Sequence, residues 1–235
     1  VVFGAVSVPP RALLDALAHL FSGEPLTMQE TLVVDVRLPR VVLAVFVGGA
    51  LAVAGAIYQA LFGNPLADPY ILGVSSGAGL GATIAFVLTS ALGLSAARWG
   101  IVPLFAFVAG LLTIALVAKL GSAKGRLGPV SLLLAGVAIS YTLAAITAFI
   151  MVLTHEQMSA IVYWNMGGLN RASWPYIAVT APVVLAGGLT AGFFARDLDL
   201  MLLGDERAGH LGLDTKRFTK VALSLATLLT ASAVA

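Results

Sequence analysis

An all-α polytopic membrane protein is the fold class this sequence predicts, on three observations. The runs 41–67 and 69–97 carry no charge over 27 and 29 residues, each longer than the roughly 20 residues that cross the hydrocarbon. Runs 99–118, 127–154 and 172–195 repeat the signal. The composition agrees: of 235 residues 60% are hydrophobic and 10% charged, with mean hydropathy +1.01, whereas a water-soluble domain carries about a quarter charged residues. Small residues also recur every four positions, at Gly73, Gly77 and Gly81, at Gly48 and Ala52, and at Gly136, Ser140 and Ala144. Such stripes let helix backbones approach closely, and their density favours a multi-helix transporter over a single anchor.

Each element follows from its flanks. Residues 1–8 read as the tail of a further helix, since a signal peptide would need a basic n-region and a small-residue cleavage site. Residues 10–21, PRALLDALAHLF, are amphipathic and are expected to lie along the outer surface. Arg37 and Arg40 stand three apart just before the first long span, with Pro39 suited to a first helical turn. Two guanidinium forks aimed from one face make a carboxylate socket; the alternatives are headgroup anchoring or pairing with Asp35. Gln59 and Asn64 border the turn that ends this span, and Ser75 and Ser76 lie early in the next. These weakly polar groups either face a solute or serve as caps and interhelical bonds. Trp99, Trp164 and Trp174 are expected as outer interface anchors.

The longest loop, 196–220, alternates charge with leucine. Gly204 and Gly212 bracket a short helix with Asp205 and Glu206 near its N-terminus, where the dipole favours them, and Asp214 is placed to cap a second short helix. The apolar residues 200–203 and Leu211 argue that a partner covers this knob. Residues 221–235 stop short of a span after fifteen, so the chain reads as one transmembrane domain, 1–235, clipped at both ends.

Charge placement sets orientation. Connections near Asn64, 119–126 and 196–220 hold eight Lys/Arg including all four lysines, and those near 11–40, Arg98 and Arg171 hold five. The positive-inside rule puts Asn64, Lys124 and Arg207 in the cytoplasm and Arg37 and Arg40 outside. The net charge of +2 and pI of 9.1 therefore report topology, and no nucleic-acid partner is inferred. The absence of cysteine excludes disulfides and thiolate metal sites. His19 and His155 are read as solvated loop histidines without a second ligand, so no metal site is assigned.

Acids, bases and histidines all fall at span ends or in loops, which leaves a coupling ion no intramembrane carboxylate or imidazole and disfavours an ion-coupled carrier. Residues 121–128, GSAKGRLG, are too short for a phosphate loop and lack its Lys-Ser/Thr pair. Energy must come from a partner.

Five segments carry a family resemblance: RLPR at 37–40, GALAVAGAIYQALFGNPLADPYILGVSSGAG at 49–79, LLLAGVA at 132–138, YWNMGGL at 163–169 and LGDERAGHLGL at 203–213. In order and spacing the chain resembles the permease subunits of ABC importers for iron chelates, haem and vitamin B12, the FecCD type. Glu206, Ala208 and Gly212 fit the Glu-x-Ala-x-x-x-Gly core of the loop that such permeases insert into their ATPases.

The resemblance implies a type II ABC importer permease bundle of about ten helices, of which this chain supplies six full spans and parts of two. It implies a homodimer in the inner (cytoplasmic) membrane of a prokaryote, two cytoplasmic ATP-binding subunits that hold ATP and Mg, and an external substrate-binding protein. The permease itself makes no bonds and needs no cofactor. On this view Gly204, Asp205, Glu206, Arg207, Ala208 and Gly212 couple to the ATPase, Arg37 and Arg40 receive the binding protein, and Gln59, Asn64, Ser75 and Ser76 border the path. The connection at Pro129 and Val130 is then the cytoplasmic gate. That pair departs from the small hydroxyl residues of B12 permeases, so the expected cargo is a ferric siderophore first, haem second and cobalamin third.

Overall fold

The structure, a computed structural model, describes residues 9, 11–22, 25–94, 98–123, 126–127 and 129–235. Residues 1–8, Pro10 and Lys124, on which the sequence raised expectations, lie outside the described residues.

The amphipathic segment forms α1, Arg11–Ser22. It is followed by α2, Met28–Thr31, whose N-cap Thr27 and Glu30 make a reciprocal capping box. The chain continues without a break through a π-helical stretch, Leu32–Arg37, into α3, Leu38–Phe62. A π turn leaves carbonyls imperfectly used, and the indole N–H of Trp174 donates to one of them, Val34 O, at 3.1 Å. The helix ends on Gly63 in the left-handed conformation, φ 56°, as C-terminal glycines do.

The second apolar run does not become helical at Pro69. The Asn64 Oδ1 accepts from Leu66 N at 2.9 Å and the Asp68 Oδ1 from Tyr70 N at 2.6 Å. These Asx turns, with the proline, hold residues 64–72 out of the helix. Helix α4, Val74–Ala91, starts only after Gly73 at φ 83°.

There follow α5, Arg98–Gly121, and a two-residue antiparallel pairing of β1, Ser122–Ala123, with β2, Arg126–Leu127. Helix α6 spans Pro129–Leu153, and a 3₁₀ turn, His155–Gln157, leads into α7, Met158–Asn165. Next come α8, Trp174–Phe193, α9, Ala195–Met201, and α10, Asp205–His210. The last helix is α11, Thr215–Val234.

Among the described residues five helices are long and apolar enough to cross a membrane. The count of six full spans is reached only if α11 is included. That helix also corrects two expectations, the second short helix after Asp214 and the fifteen-residue stub beyond Lys220. Lys216, Arg217 and Lys220 interrupt the apolar run but not the helix, which Asp214 starts by accepting from Arg217 N at 3.1 Å. Twenty residues at about 1.5 Å each reach 30 Å.

Helix α4 is the most enclosed of the spans. It packs along α5 and sets its start against α6 and its flank against α11. On the other side of α11 lie α3 and α8, with the buried Tyr58 hydroxyl 3.5 Å from Thr227 Oγ1. The glycine stripe explains the closeness of α4 and α5. A Cβ on Gly77 would collide with the Thr113 hydroxyl and lie 3.0 Å from the Ala109 carbonyl, and one on Gly81 would collide with the Phe105 carbonyl. Gly73 is not part of that helical stripe; it turns the chain, and its Cβ would sit 2.8 Å from Ser140 Oγ of α6. Gly48 faces open space, so its stripe is not a seam within this chain.

Candidate functional site

The helices alternate in direction, so functional residues gather at two ends and in a middle zone. At one end stand Arg37, Arg40, Leu169 and Trp174; at the other stand Asn64, Gly121, Leu132 and the α9–α10 corner. Arg37 closes the π-helical stretch and is half-buried, while Arg40 is exposed in the first turn of α3. The Arg40 Nε donates to the Leu169 carbonyl at 3.2 Å across 129 residues of sequence. Arg40 is thus held by backbone through its inner nitrogen.

The same end corrects the reading of His19 as a solvated histidine. Its Nδ1 lies 3.0 Å from Glu30 Oε2, the oxygen that also accepts from Thr27 N at 2.7 Å. One carboxylate therefore caps α2 and ties α1 to it. Among the described residues no three His, Cys, Asp or Glu side chains converge on a metal-sized site.

The Asn64 end carries the knob. Gly204, at φ 92°, begins α10 and Gly212, at φ 94°, follows it. Leu213 N–H returns to the Ala208 carbonyl at 3.1 Å and Gly212 N–H to Gly209 O at 3.1 Å, the closure of a Schellman motif with glycine at the left-handed position. Ala208 is fully buried and joins Met201 and Phe218 in the core; Phe194 packs edge-on against Phe218 at 5.9 Å. Asp205, Glu206 and Arg207 face outward. So do Leu202, Leu203 and Leu211, at 58%, 49% and 60% exposure. Leucines and charges thus rim a corner that its own core holds fixed.

The middle zone holds what the sequence did not single out. Gly121 meets Leu132, and eight residues further into both helices Thr113 and Ser140 meet at Gly73, about 12 Å deeper. Helix α7 begins beside the end of α4, where Gln157 Nε2 donates to Ser90 Oγ at 2.9 Å. It ends with Asn165 against Gly79, whose Cβ would lie 2.6 Å from Asn165 Oδ1. Gly79 is eleven residues before Ser90, about 16 Å down the helix. Helix α7 is therefore re-entrant: it dips into the bundle and returns through Gly167 and Gly168, both at positive φ (71° and 134°). Trp164 goes with it, against the cluster of Ala78, Ala82, Phe86 and Ile161, instead of anchoring at an interface. The side chain of Trp99 lies outside the description.

Most hydroxyls in the spans satisfy themselves on the carbonyl one turn back, as Thr83, Thr113, Ser140 and Thr227 do. Several polar groups stay exposed instead. Tyr141, in the middle of α6, and Tyr163 of α7 are 75% and 74% exposed; Ser75 is exposed in the first turn of α4, and Asn165 is exposed although its amide nitrogen bonds Ile161 O one turn back. Hydrocarbon against unpaired polar atoms is costly. This zone therefore meets water, a solute or another protein surface. Ser75 and Ser76 border it. Gln59 does not, since it lies on α3, which makes no substantial contact with α4, and Asn64 is spent on its own turn. Val130 is 68% exposed in the first turn of α6, next to Pro129 in the chain; the proline side chain lies outside the description. Tyr141 and Asn165 were legible only as a phenol and an amide inside apolar runs.

Known proteins supply the comparison. The model of the FecCD transport family matches residues 1–235. The cobalamin import system permease protein BtuC of Halobacterium salinarum is 37% identical over 234 residues, covering all of this chain and 61% of its own length. The ferric enterobactin transport system permease protein FepD of Escherichia coli is 37% identical over 236 residues, 100% of this chain and 68% of its own. A solved metal-chelate type ABC transporter in an inward-facing conformation superimposes with a TM-score of 0.77 at 26% identity, covering 96% of this chain and 75% of its own. The chain thus spans less than two thirds of the halobacterial relative.

Proposed function

Because the chain belongs to the FecCD transport family of ABC importer permeases, we propose that it is the membrane subunit that conducts a ferric siderophore or related metal chelate into the cytoplasm. Two copies would enclose the path, two ATP-binding subunits would grip the 204–212 knobs, and a binding protein would dock at Arg37 and Arg40. The observation that carries this reading is the re-entrant zone, where Tyr141, Ser75 and Asn165 expose polar groups at depths that lipid tails do not tolerate. Helix α6, exposed along most of its length, is the surface offered to the second copy. Names of relatives include cobalamin, ferric enterobactin and hemin permeases. Haem and cobalamin therefore remain the competing cargoes to test.

The functional test is ATP-dependent uptake in proteoliposomes holding the full-length permease, its ATPase and its binding protein. Ferric siderophore uptake is expected to exceed haem and cobalamin uptake, and uptake driven by an ion gradient without ATP would sink the reading. The chain has no native cysteine, which allows a direct check of the path. Tyr141→Cys should react with a water-soluble thiol reagent, and Leu189→Cys, 77% exposed on α8, should not, because that face meets lipid. Equal reactivity at both positions contradicts the path assignment.

Docking has its own signature. Arg37→Glu with Arg40→Glu should abolish association with the binding protein while leaving ATPase assembly intact, since arginine grips carboxylates with a planar fork that no acid replaces. Reversing the partner's acids should restore part of the binding. Surface-sensor measurements at low and high salt read this out, and undiminished affinity in the double variant refutes the role.

A further inference from the structure

We propose that Arg40 is a positioning residue for α7, acting as a strut between the outer docking segment and the re-entrant helix. The strut is the bond from Arg40 Nε to the Leu169 carbonyl. Leu169 lies four residues beyond Asn165, past a reversal made by two glycines at positive φ, where the backbone has little stiffness of its own. The far end of the same return loop is also pinned, because Trp174 opens α8 and its indole bonds Val34 O. Residues 166–173 are therefore tied to the 34–40 segment at their middle, through Leu169, and at their far end, through Trp174, and the loop's depth follows that segment.

The geometry also separates the two jobs of one guanidinium. The inner nitrogen is committed to backbone, while the two terminal nitrogens of Arg40, exposed at the chain surface, make no hydrogen bond or ion pair within the described residues. A carboxylate taking the outer nitrogens would pull on a side chain already joined to the α7 return. Asn165 sits at the other end of that short lever, against Gly79 in the bundle. Occupation of Arg40 from outside would then be felt about 16 Å below Ser90 without any contact between the partner and α7. The second half of this inference rests on the docking role proposed above; the strut itself does not.

Backbone hydrogen exchange in the full-length transporter in nanodiscs tests both halves. Without binding protein, Arg40→Gln should speed exchange across 158–166 by about tenfold, the loss expected for one charge-assisted bond, and Lys119→Gln, at the opposite end, should leave it unchanged. Unchanged exchange in Arg40→Gln overturns the strut, whatever the binding protein does. With saturating binding protein, α7 exchange should shift in the wild-type transporter and not in Arg40→Gln. If the partner binds wild type and shifts nothing, the coupling is overturned. If it binds Arg37→Glu/Arg40→Glu as tightly as wild type, the docking reading fails while the strut stands on the first arm.

Discussion

Gly77→Leu should cost the bundle about 3 kcal/mol, the upper end of what overpacking usually costs, and should lower the detergent-phase melting temperature accordingly. The Cβ alone would meet the Thr113 hydroxyl and lie 3.0 Å from the Ala109 carbonyl. A flexible side chain could swing aside, but a carbonyl of α5 moves only if the helix moves. Helix α5 in turn packs against α6 and α11, so separation of α4 and α5 spreads through the core instead of relaxing locally. Gly48→Leu is the matched control. Nothing lies within 4 Å of a Cβ there, and leucine is the better helix former, so melting should hold or rise slightly. Ser76→Ala, at a half-exposed position, should be gentle. Equal melting of Gly77→Leu and Gly48→Leu would show that the α4–α5 contact is not the seam that holds the bundle.

The second large effect is on coupling. Gly212→Pro is expected to abolish ATP-driven uptake in the full-length transporter while ATP hydrolysis continues. Gly212 has φ 94°, and proline fixes φ near −65° and removes the N–H that bonds Gly209 O, a penalty of about 3 kcal/mol or more. At that cost the native corner would be populated about one part in a hundred. The buried Ala208, Met201 and Phe218 anchor would persist, so the subunit should still assemble. Glu206→Ala should be milder, because the side chain is exposed and its loss leaves the Schellman closure intact. Uptake and phosphate release measured on the same proteoliposomes decide the matter, and normal transport by Gly212→Pro would remove the knob from the energy path.

The sequence determined by itself that the chain is a bundle of membrane helices with a rigid knob between two glycines. Runs of 27 and 29 uncharged residues admit few other solutions, because in lipid the backbone must bond to itself. The glycines at 204 and 212 were legible because charge and leucine alternate around them. Boundaries set by charge were less reliable. Helix α11 runs through three basic residues because a helix is ended by backbone geometry, not by polarity, and α4 starts late because the Asx side chains take backbone N–H groups at Leu66 and Tyr70 and a proline has none to give.

Only the tertiary structure decided which polar residues share a space. The period of a helix says that Gly77 and Gly81 lie on one face but not that Phe105 and Ala109 face them, whereas Gly48, in a similar stripe, faces nothing. Gln59 and Ser75 look alike as weakly polar residues near a turn, yet they sit on helices that do not pack together. The re-entry of α7 was hidden most completely. Its eight residues, Met158–Asn165, are too few to register as a span. Asn165 reaches Gly79, and Leu169 reaches Arg40, only through contacts separated by many tens of residues. Local patterns carry the free energy of entering the membrane, but the position of a short helix between longer ones is set by whatever its ends can bond to, and that is fixed only when the bundle closes.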